Sequence, residues 1–140
     1  MGGTITVGCF KLVTNFPVAI TALCCVKSKR KNLSIKGNQA LIYNMLSNVI
    51  TNAVKYSPVN SSITITLDCT RQKIIVEDSE PGIASALRER VKDRFYRTPD
   101  AKGEGSGLGL AIVNRIASIH QIDWQLNEAK TGGLAVEFSL

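Results

Sequence analysis

Gly103-Glu104-Gly105-Ser106-Gly107-Leu108-Gly109-Leu110 runs directly into the apolar segment Leu110-Ala111-Ile112-Val113-Asn114-Arg115-Ile116-Ala117. Glycines at alternate positions (Gly105, Gly107, Gly109) carry no Cβ and reach φ > 0 without penalty. The segment that follows reads as a buried helix. A bare loop at a helix N-terminus presents unpaired N–H groups and the positive end of the helix dipole, which suits phosphate. Taken alone, such a loop serves equally well as a hinge or a turn.

A second segment lies some 50 residues upstream: Asn44-Met45-Leu46-Ser47-Asn48-Val49-Ile50-Thr51-Asn52-Ala53-Val54-Lys55-Tyr56-Ser57. Ile42, Met45, Leu46, Val49, Ile50, Ala53 and Val54 recur at helical spacing, so an amphipathic helix is expected. Asn44, Asn48 and Asn52 follow one another at intervals of four and Lys55 comes three later, on one stripe of that helix. Carboxamide oxygens beside an ammonium group can hold a hydrated divalent cation and the charge of a polyphosphate. A solvated face is the plain alternative. Asparagine is a poor helix former, however, and three of them on one stripe favour a site.

Between these segments, Ile74-Ile75-Val76-Glu77 reads as a strand, followed by Asp78 and the turn Pro81-Gly82. An ionised Asp is acceptor-only and can take the exocyclic amino group of a purine at a strand end; a turn residue is its commoner role. Arg94-Phe95-Tyr96-Arg97 precedes the glycine-rich loop.

The order of these parts resembles the N, G1, F and G2 boxes of sensor histidine kinases. Asn48 to Tyr56 is similar to the N box, Asp78 to Gly82 to G1, Phe95 to Arg97 to F, and Gly105 to Leu110 to G2. The chain thus looks like the catalytic ATP-binding domain of that family, in the superfamily shared by gyrase B, Hsp90 and MutL. Within it the run is most similar to receptor kinases of the QseC and PmrB type. The resemblance covers about residues 37–140, with residues 1–36 matching loosely as an N-terminal strand and helix of the same single domain.

The resemblance implies an α+β two-layer sandwich, a mixed and mostly antiparallel sheet with helices on one face, known as the Bergerat fold. It implies ATP and Mg²⁺ as ligands. Asn48 and Asn52 would hold the metal, Lys55 would neutralise phosphate charge and Tyr56 would line the nucleotide. Asp78 would accept the adenine amino group, with Gly82 and Ile83 beside the base. Phe95, Tyr96 and Arg97 would form the F box, with Arg97 at the γ-phosphate. Gly105, Ser106, Gly107, Leu108, Gly109 and Leu110 would wrap the phosphates. The catalytic set would be Asn48, Lys55 and Arg97, and the span from Ile83 to Glu104 a mobile lid.

Glu80 stands where the first glycine of the G1 pattern is usual, and Gln121-Ile122 follows His120 in place of Gly-Gly. The glutamate motivates an alternative, a degenerate nucleotide-binding module without catalysis. A serine-directed relative of the anti-sigma type is a further alternative, against which the Phe-Tyr-Arg box and the Gly-Leu-Gly-Leu ending argue. His120, the one histidine, ends an apolar helix and is not followed by an acid, so it is not a phosphoacceptor. The substrate histidine is expected on a separate helical dimerisation domain of a parent kinase, with a response regulator receiver domain downstream. The chain is thus expected to be a fragment or a stand-alone catalytic domain.

The 140 residues are 44% hydrophobic, enough for one core, and carry a net charge of +6. The basic excess lacks the interleaved aromatics of a nucleic-acid surface, and no nucleic-acid partner is expected. Much of it lies in Lys27, Lys29, Arg30 and Lys31, read as a solvated helix end. Cys9, Cys24, Cys25 and Cys69 form no C-x-x-C pair and read as reduced thiols of a cytoplasmic domain. The clean apolar run from Pro17 to Val26 is too short to span a membrane, so no membrane contact is expected, although the parent protein would sit in the inner membrane. The remaining expectations are a strand at Ile5–Val7, a helix over Phe10–Ser28, a strand over Ser62–Leu67, a helix around Ala84–Asp93, and a terminal hairpin carrying Ile122, Trp124, Leu126, Leu134, Val136 and Phe138.

Overall fold

The computed structural model describes residues 3–8, 22–26, 32–57, 63–78, 82–97, 107–130 and 132–140, with side chains from residue 33 onward. Strands β1 (Gly3–Gly8), β2 (Ala22–Val26) and β3 (Asn32–Gly37) precede helix α1 (Gln39–Tyr56). Strands β4 (Ile63–Asp68) and β5 (Lys73–Glu77) follow, then helix α2 (Gly109–Ile119) and the pair β6 (Asp123–Glu128) and β7 (Leu134–Ser139). β1 and β3 form an antiparallel ribbon, while the main sheet has the order β2-β4-β5-β7-β6. Only the β2–β4 pairing in that sheet is parallel. The mixed, mostly antiparallel sheet expected from the resemblance is the one found.

Register explains why the sheet has one dry face. Ile65, Val76, Val136 and Leu126 stand opposite one another across four strands, and Leu67, Ile74, Phe138 and Trp124 make the next such row. Partners in register share a face and alternate residues change face, so these rows lie together. Phe138, Leu67 and Ile74 are fully buried. The opposite face takes Thr66, Ile75, Glu137 and Gln125 in one row, Asp68, Lys73, Ser139 and Asp123 in the next. Lys73 and Glu137 form an ion pair there.

Helix α1 starts at Asn38, whose Oδ1 accepts the Leu41 N–H at 3.1 Å, the usual economy of an asparagine N-cap. It stops at Ser57, whose ψ of 142° is the extended conformation imposed on a residue before proline. Ile42, Met45, Leu46, Val49, Ile50 and Ala53 are buried against the sheet. α2 buries Val113, Ile116 and Ala117 beside them. The β4–β5 turn is closed by Asp68, whose Oδ1 accepts the N–H groups of Thr70 and Arg71.

Two expectations are corrected. The helix over Phe10–Ser28 is not a helix at Ala22–Val26, which is the strand β2 paired parallel to β4; the rest of that span lies outside the described residues. A short unbroken apolar run carries no periodicity that separates strand from helix. The helix around Ala84–Asp93 is instead two single 3₁₀ turns, Ser85–Leu87 and Arg90–Lys92. Val91 alone is buried there, and a short helix without an apolar stripe has no tertiary packing to sustain it.

Phe138 is wholly buried and stacks on Trp124 with ring centroids 6.1 Å apart. Phe138→Ala is expected to cost about 3–5 kcal/mol of stability, read from urea denaturation. A loss under about 1 kcal/mol would show that the last strand lies outside the cooperative core.

Candidate functional site: two helices, a loop and a buried carboxylate

Asn44, Asn48, Asn52 and Lys55 share one stripe of α1 at the edge of its buried face, with Asn44 and Lys55 exposed and Asn48 and Asn52 half-buried. The Asn48 Nδ2 donates to the Asn44 backbone oxygen at 2.8 Å and to the Asn44 Oδ1 at 2.6 Å. With its amide nitrogen so engaged, Asn48 turns its Oδ1 toward the start of α2. A Cβ added at Gly109 would stand 3.6 Å from that oxygen, and 3.2 and 3.4 Å from the Asn52 Nδ2 and Oδ1. Gly109, the first residue of α2, therefore sits directly on two carboxamides of α1, and the missing side chain permits the approach.

The N-terminus of α2 carries no cap of its own. Leu108 occupies the N-cap position without a side-chain cap bond, and the first turn holds no acid. Its leading N–H groups thus retain their capacity to bind an anion beside the two asparagines. Among the described residues no three His, Cys, Asp or Glu side chains come together around a possible cation. A hard cation here would take amide oxygens, completed by phosphate and water, and the oriented Asn48 Oδ1 fits that donor set.

The F box is fastened to this loop through the backbone. The Phe95 N–H donates to the Gly107 carbonyl at 3.0 Å. Gly107 has φ +71°, and a Cβ there would lie 2.7 Å from the Phe95 carbonyl carbon and 2.8 Å from the Tyr96 oxygen. Phe95 itself adopts φ 64°, a left-handed conformation costly for a bulky residue, and its ring is exposed. Tyr96 packs against the core with the Arg90 guanidinium 4.9 Å from its ring. Arg97 is exposed. Lys55 and Tyr56 end α1 side by side, the Lys55 Nζ 5.3 Å from the ring centroid.

Asp78 lies just past the end of β5 and is only 7% exposed. It is bound twice to Leu134: its N–H donates to the Leu134 oxygen at 3.0 Å, and its Oδ1 accepts the Leu134 N–H at 2.8 Å. A side chain at Gly133 would collide with the Asp78 carbonyl. Gly82 turns toward the same place, where a Cβ would be 3.0 Å from the Gly133 oxygen. Gly133 was legible only as half of a Gly132-Gly133 hairpin turn; the pair of adjacent glycines was the available signal, since one suffices for the turn. Ile83, Leu108 and Leu110 are half-buried, with Ile83 and Leu110 packed on the core. Gly105, Ser106 and Glu80 lie outside the described residues.

Residues 37–140 match the family model of the histidine kinase-, DNA gyrase B- and HSP90-like ATPases. The chain belongs to that ATP-binding family. It is 38% identical over 103 residues to the sensor protein QseC of Escherichia coli K12, covering 74% of this chain and 22% of QseC. It is 39% identical over 79 residues to the sensor protein kinase PmrB of Pseudomonas aeruginosa, covering 54% of this chain and 17% of PmrB. The chain thus spans about a fifth of the length of these relatives. The mycobacterial sensor histidine kinase MprB superposes with a TM-score of 0.74 at 26% identity, over 86% of this chain and 80% of that structure. The fold and the sequence agree on the catalytic ATP-binding domain of sensor histidine kinases.

Gly107→Ala places a Cβ against the Phe95 backbone at a positive φ. The expected cost is about 1–3 kcal/mol, with faster hydrogen exchange at the Phe95 amide. Unchanged protection at that amide would mean the F box is not held by this loop.

Proposed function

We propose that this chain binds Mg-ATP between α1 and the start of α2 and donates the γ-phosphoryl group to a histidine on the dimerisation domain of a parent sensor kinase. The contact of Gly109 with Asn48 and Asn52 carries the reading, because it joins two oxygen donors to an uncapped helix N-terminus. Asn48 and Asn52 would hold Mg²⁺, which would supply positive charge against the phosphates. Lys55 and Arg97 add positive charge at the mouth, Arg97 toward the γ-phosphate, and Tyr56 lines the nucleotide. Gly105, Ser106, Gly107 and Leu108 lead the loop onto the phosphates, and the α2 amides receive them. Asp78 takes the adenine amino group, which excludes guanine because its oxygen there would face a carboxylate.

Phosphoryl transfer asks mainly for positioning and charge stabilisation, so this chain supplies the clamp and the partner supplies the nucleophile. A response regulator receiver domain would accept the phosphoryl group next. The parent kinase would lie in the inner membrane with this domain in the cytoplasm, where ATP is found. In keeping with that placement, no helix among the described residues is long and apolar enough to cross a membrane.

Asn52→Ala is expected to abolish magnesium-dependent ATP binding in calorimetry while leaving the circular dichroism spectrum unchanged; retained affinity would overturn the metal assignment. Asp78→Asn keeps an oxygen for the Leu134 N–H but replaces the other acceptor with a donor. ATP affinity should then fall by about 1–3 kcal/mol, roughly 5- to 150-fold. Equal affinity, with GTP still rejected, would reduce Asp78 to a strand-end brace. Incubation with labelled ATP and an isolated dimerisation domain should place acid-labile phosphate on histidine; acid-stable phosphoserine would overturn the acceptor assignment.

A further inference from the structure

The two helices of the proposed ATP site meet twice, and only one meeting lies at the site. At the far end, His120 caps α2 and touches the start of α1. The Asn38 N–H donates to the His120 Nε2 at 3.1 Å. A backbone N–H can only donate, so Nε2 carries no proton, and the neutral ring must hold its proton on Nδ1. That Nδ1 stands 2.8 Å from the Ile116 carbonyl, one turn back on α2, and donates to it. The imidazole therefore connects the last turn of α2 to the N-cap residue of α1. Its seat is shaped for it, because any side chain at Gly37 would strike the ring.

The spacing of the two meetings gives this contact a further role. Asn38 and Asn48 are ten residues apart on α1, while His120 and Gly109 are eleven apart on α2, and the helices run antiparallel. At 1.5 Å per residue both intervals are about 15–17 Å. A slip of α2 along α1 by one residue's rise would carry its N-terminal amides about 1.5 Å past the two carboxamides. Positioning of reacting groups tolerates much less than that. Val113, Ile116 and Ala117 pack α2 into the core, and the Trp124 Nε1–H ties α2 to β6 through the Asn114 Oδ1 at 3.1 Å. At the far end, the directional bond between His120 and Asn38 opposes a slide along α1 directly.

We propose that His120 is a positioning residue for the triphosphate: it fixes the axial register of α2 on α1 and thereby sets Gly109 at Asn48 and Asn52. The inference rests on the ATP reading given above. It concerns the phosphates alone, because the adenine end is held by Asp78, Leu134 and Gly133 on the sheet, without α2.

The test uses the 140-residue chain, His120→Ala, His120→Asn and His120→Gln, with thermal melts to set a temperature at which each is folded. Glutamine places its Oε1 where Nε2 lies and can accept from Asn38; asparagine is one carbon too short. Affinity for the non-hydrolysable analogue AMPPNP with magnesium should fall about 3- to 30-fold in the Ala and Asn variants and return in the Gln variant. Adenosine binding, followed by chemical-shift titration, should stay the same in all four. If Ala fails to fold, the Asn and Gln pair carries the comparison. Parallel loss of adenosine and AMPPNP would make His120 a structural residue only, and equal AMPPNP affinity in all four would overturn the proposal.

An independent readout comes from the nitrogen spectrum of the single imidazole, which needs no assignment by mutation. The wild type should show the Nδ1–H tautomer, and the Nε2–H tautomer would refute the bond to Asn38 whatever the nucleotide result. Wild-type protein with this tautomer but no affinity for AMPPNP would instead refute the ATP reading, a distinct failure.

Discussion

The phosphate end of the candidate site depends on how closely α2 approaches α1, and the small residue at position 109 eases that approach. Both helices must bury one face on the same apolar rows of the sheet, so they lie side by side with their polar edges in contact. Most residues at position 109 would hold the helix start away from Asn48 and Asn52. Glycine lets carboxamide oxygens and backbone amides, groups of opposite polarity, share one small space. Asn48 stays correctly turned because Asn44, one turn earlier, binds its nitrogen twice. The first asparagine of the stripe thus orients the second.

Such a site is costly to keep in the absence of a ligand. An uncapped helix start forgoes roughly 1 kcal/mol that a Ser, Thr or Asp at position 108 would supply. A left-handed Phe95 with an exposed ring is a second local expense, maintained by its bond to Gly107. Left-handed non-glycine residues also occur away from the site, at Gln72 in the β4–β5 turn and at Gln121 after α2, so Phe95 stands out by its exposed ring rather than by its φ alone.

The parts of the fold legible in the sequence were those where one periodicity dominates. α1 is visible because its apolar and asparagine stripes both keep helical spacing; β4 and the terminal hairpin are visible because their alternation is clean. Ala22–Val26 was opaque because five apolar residues in succession carry no period. The segment after Ile83 was opaque for the opposite reason: Arg88, Glu89, Arg90, Lys92 and Asp93 leave only Val91 to be buried, so nothing fixes a helix there. Of the site, the stripe and the glycine loop could be read directly, whereas their contact could not, because it joins positions some 60 residues apart. Gly133 and His120 escaped a functional reading for the same reason. Each has an ordinary local role, a turn and a helix end, that fully accounts for it until its distant neighbour is seen.

The separation between the two ends of the site is itself a consequence of the layers. Asp78 belongs to the sheet, fixed to Leu134 of the neighbouring strand, and moves only if β5 and β7 move. Asn48, Asn52 and Gly109 belong to the helical layer, where antiparallel helices in contact can shift along each other without breaking backbone bonds. On the proposed reading, base recognition would therefore be built on the stiffer layer and phosphate binding on the more adjustable one. Gly107, which ties the F box to the foot of α2, passes any such adjustment on to Phe95, Tyr96 and the exposed Arg97. A small displacement of α2 would thus reach the phosphates and Arg97 together while leaving the adenine contact in place. If the proposed site is right, selectivity for the base and readiness for transfer would be separable, because different layers of the sandwich would carry them.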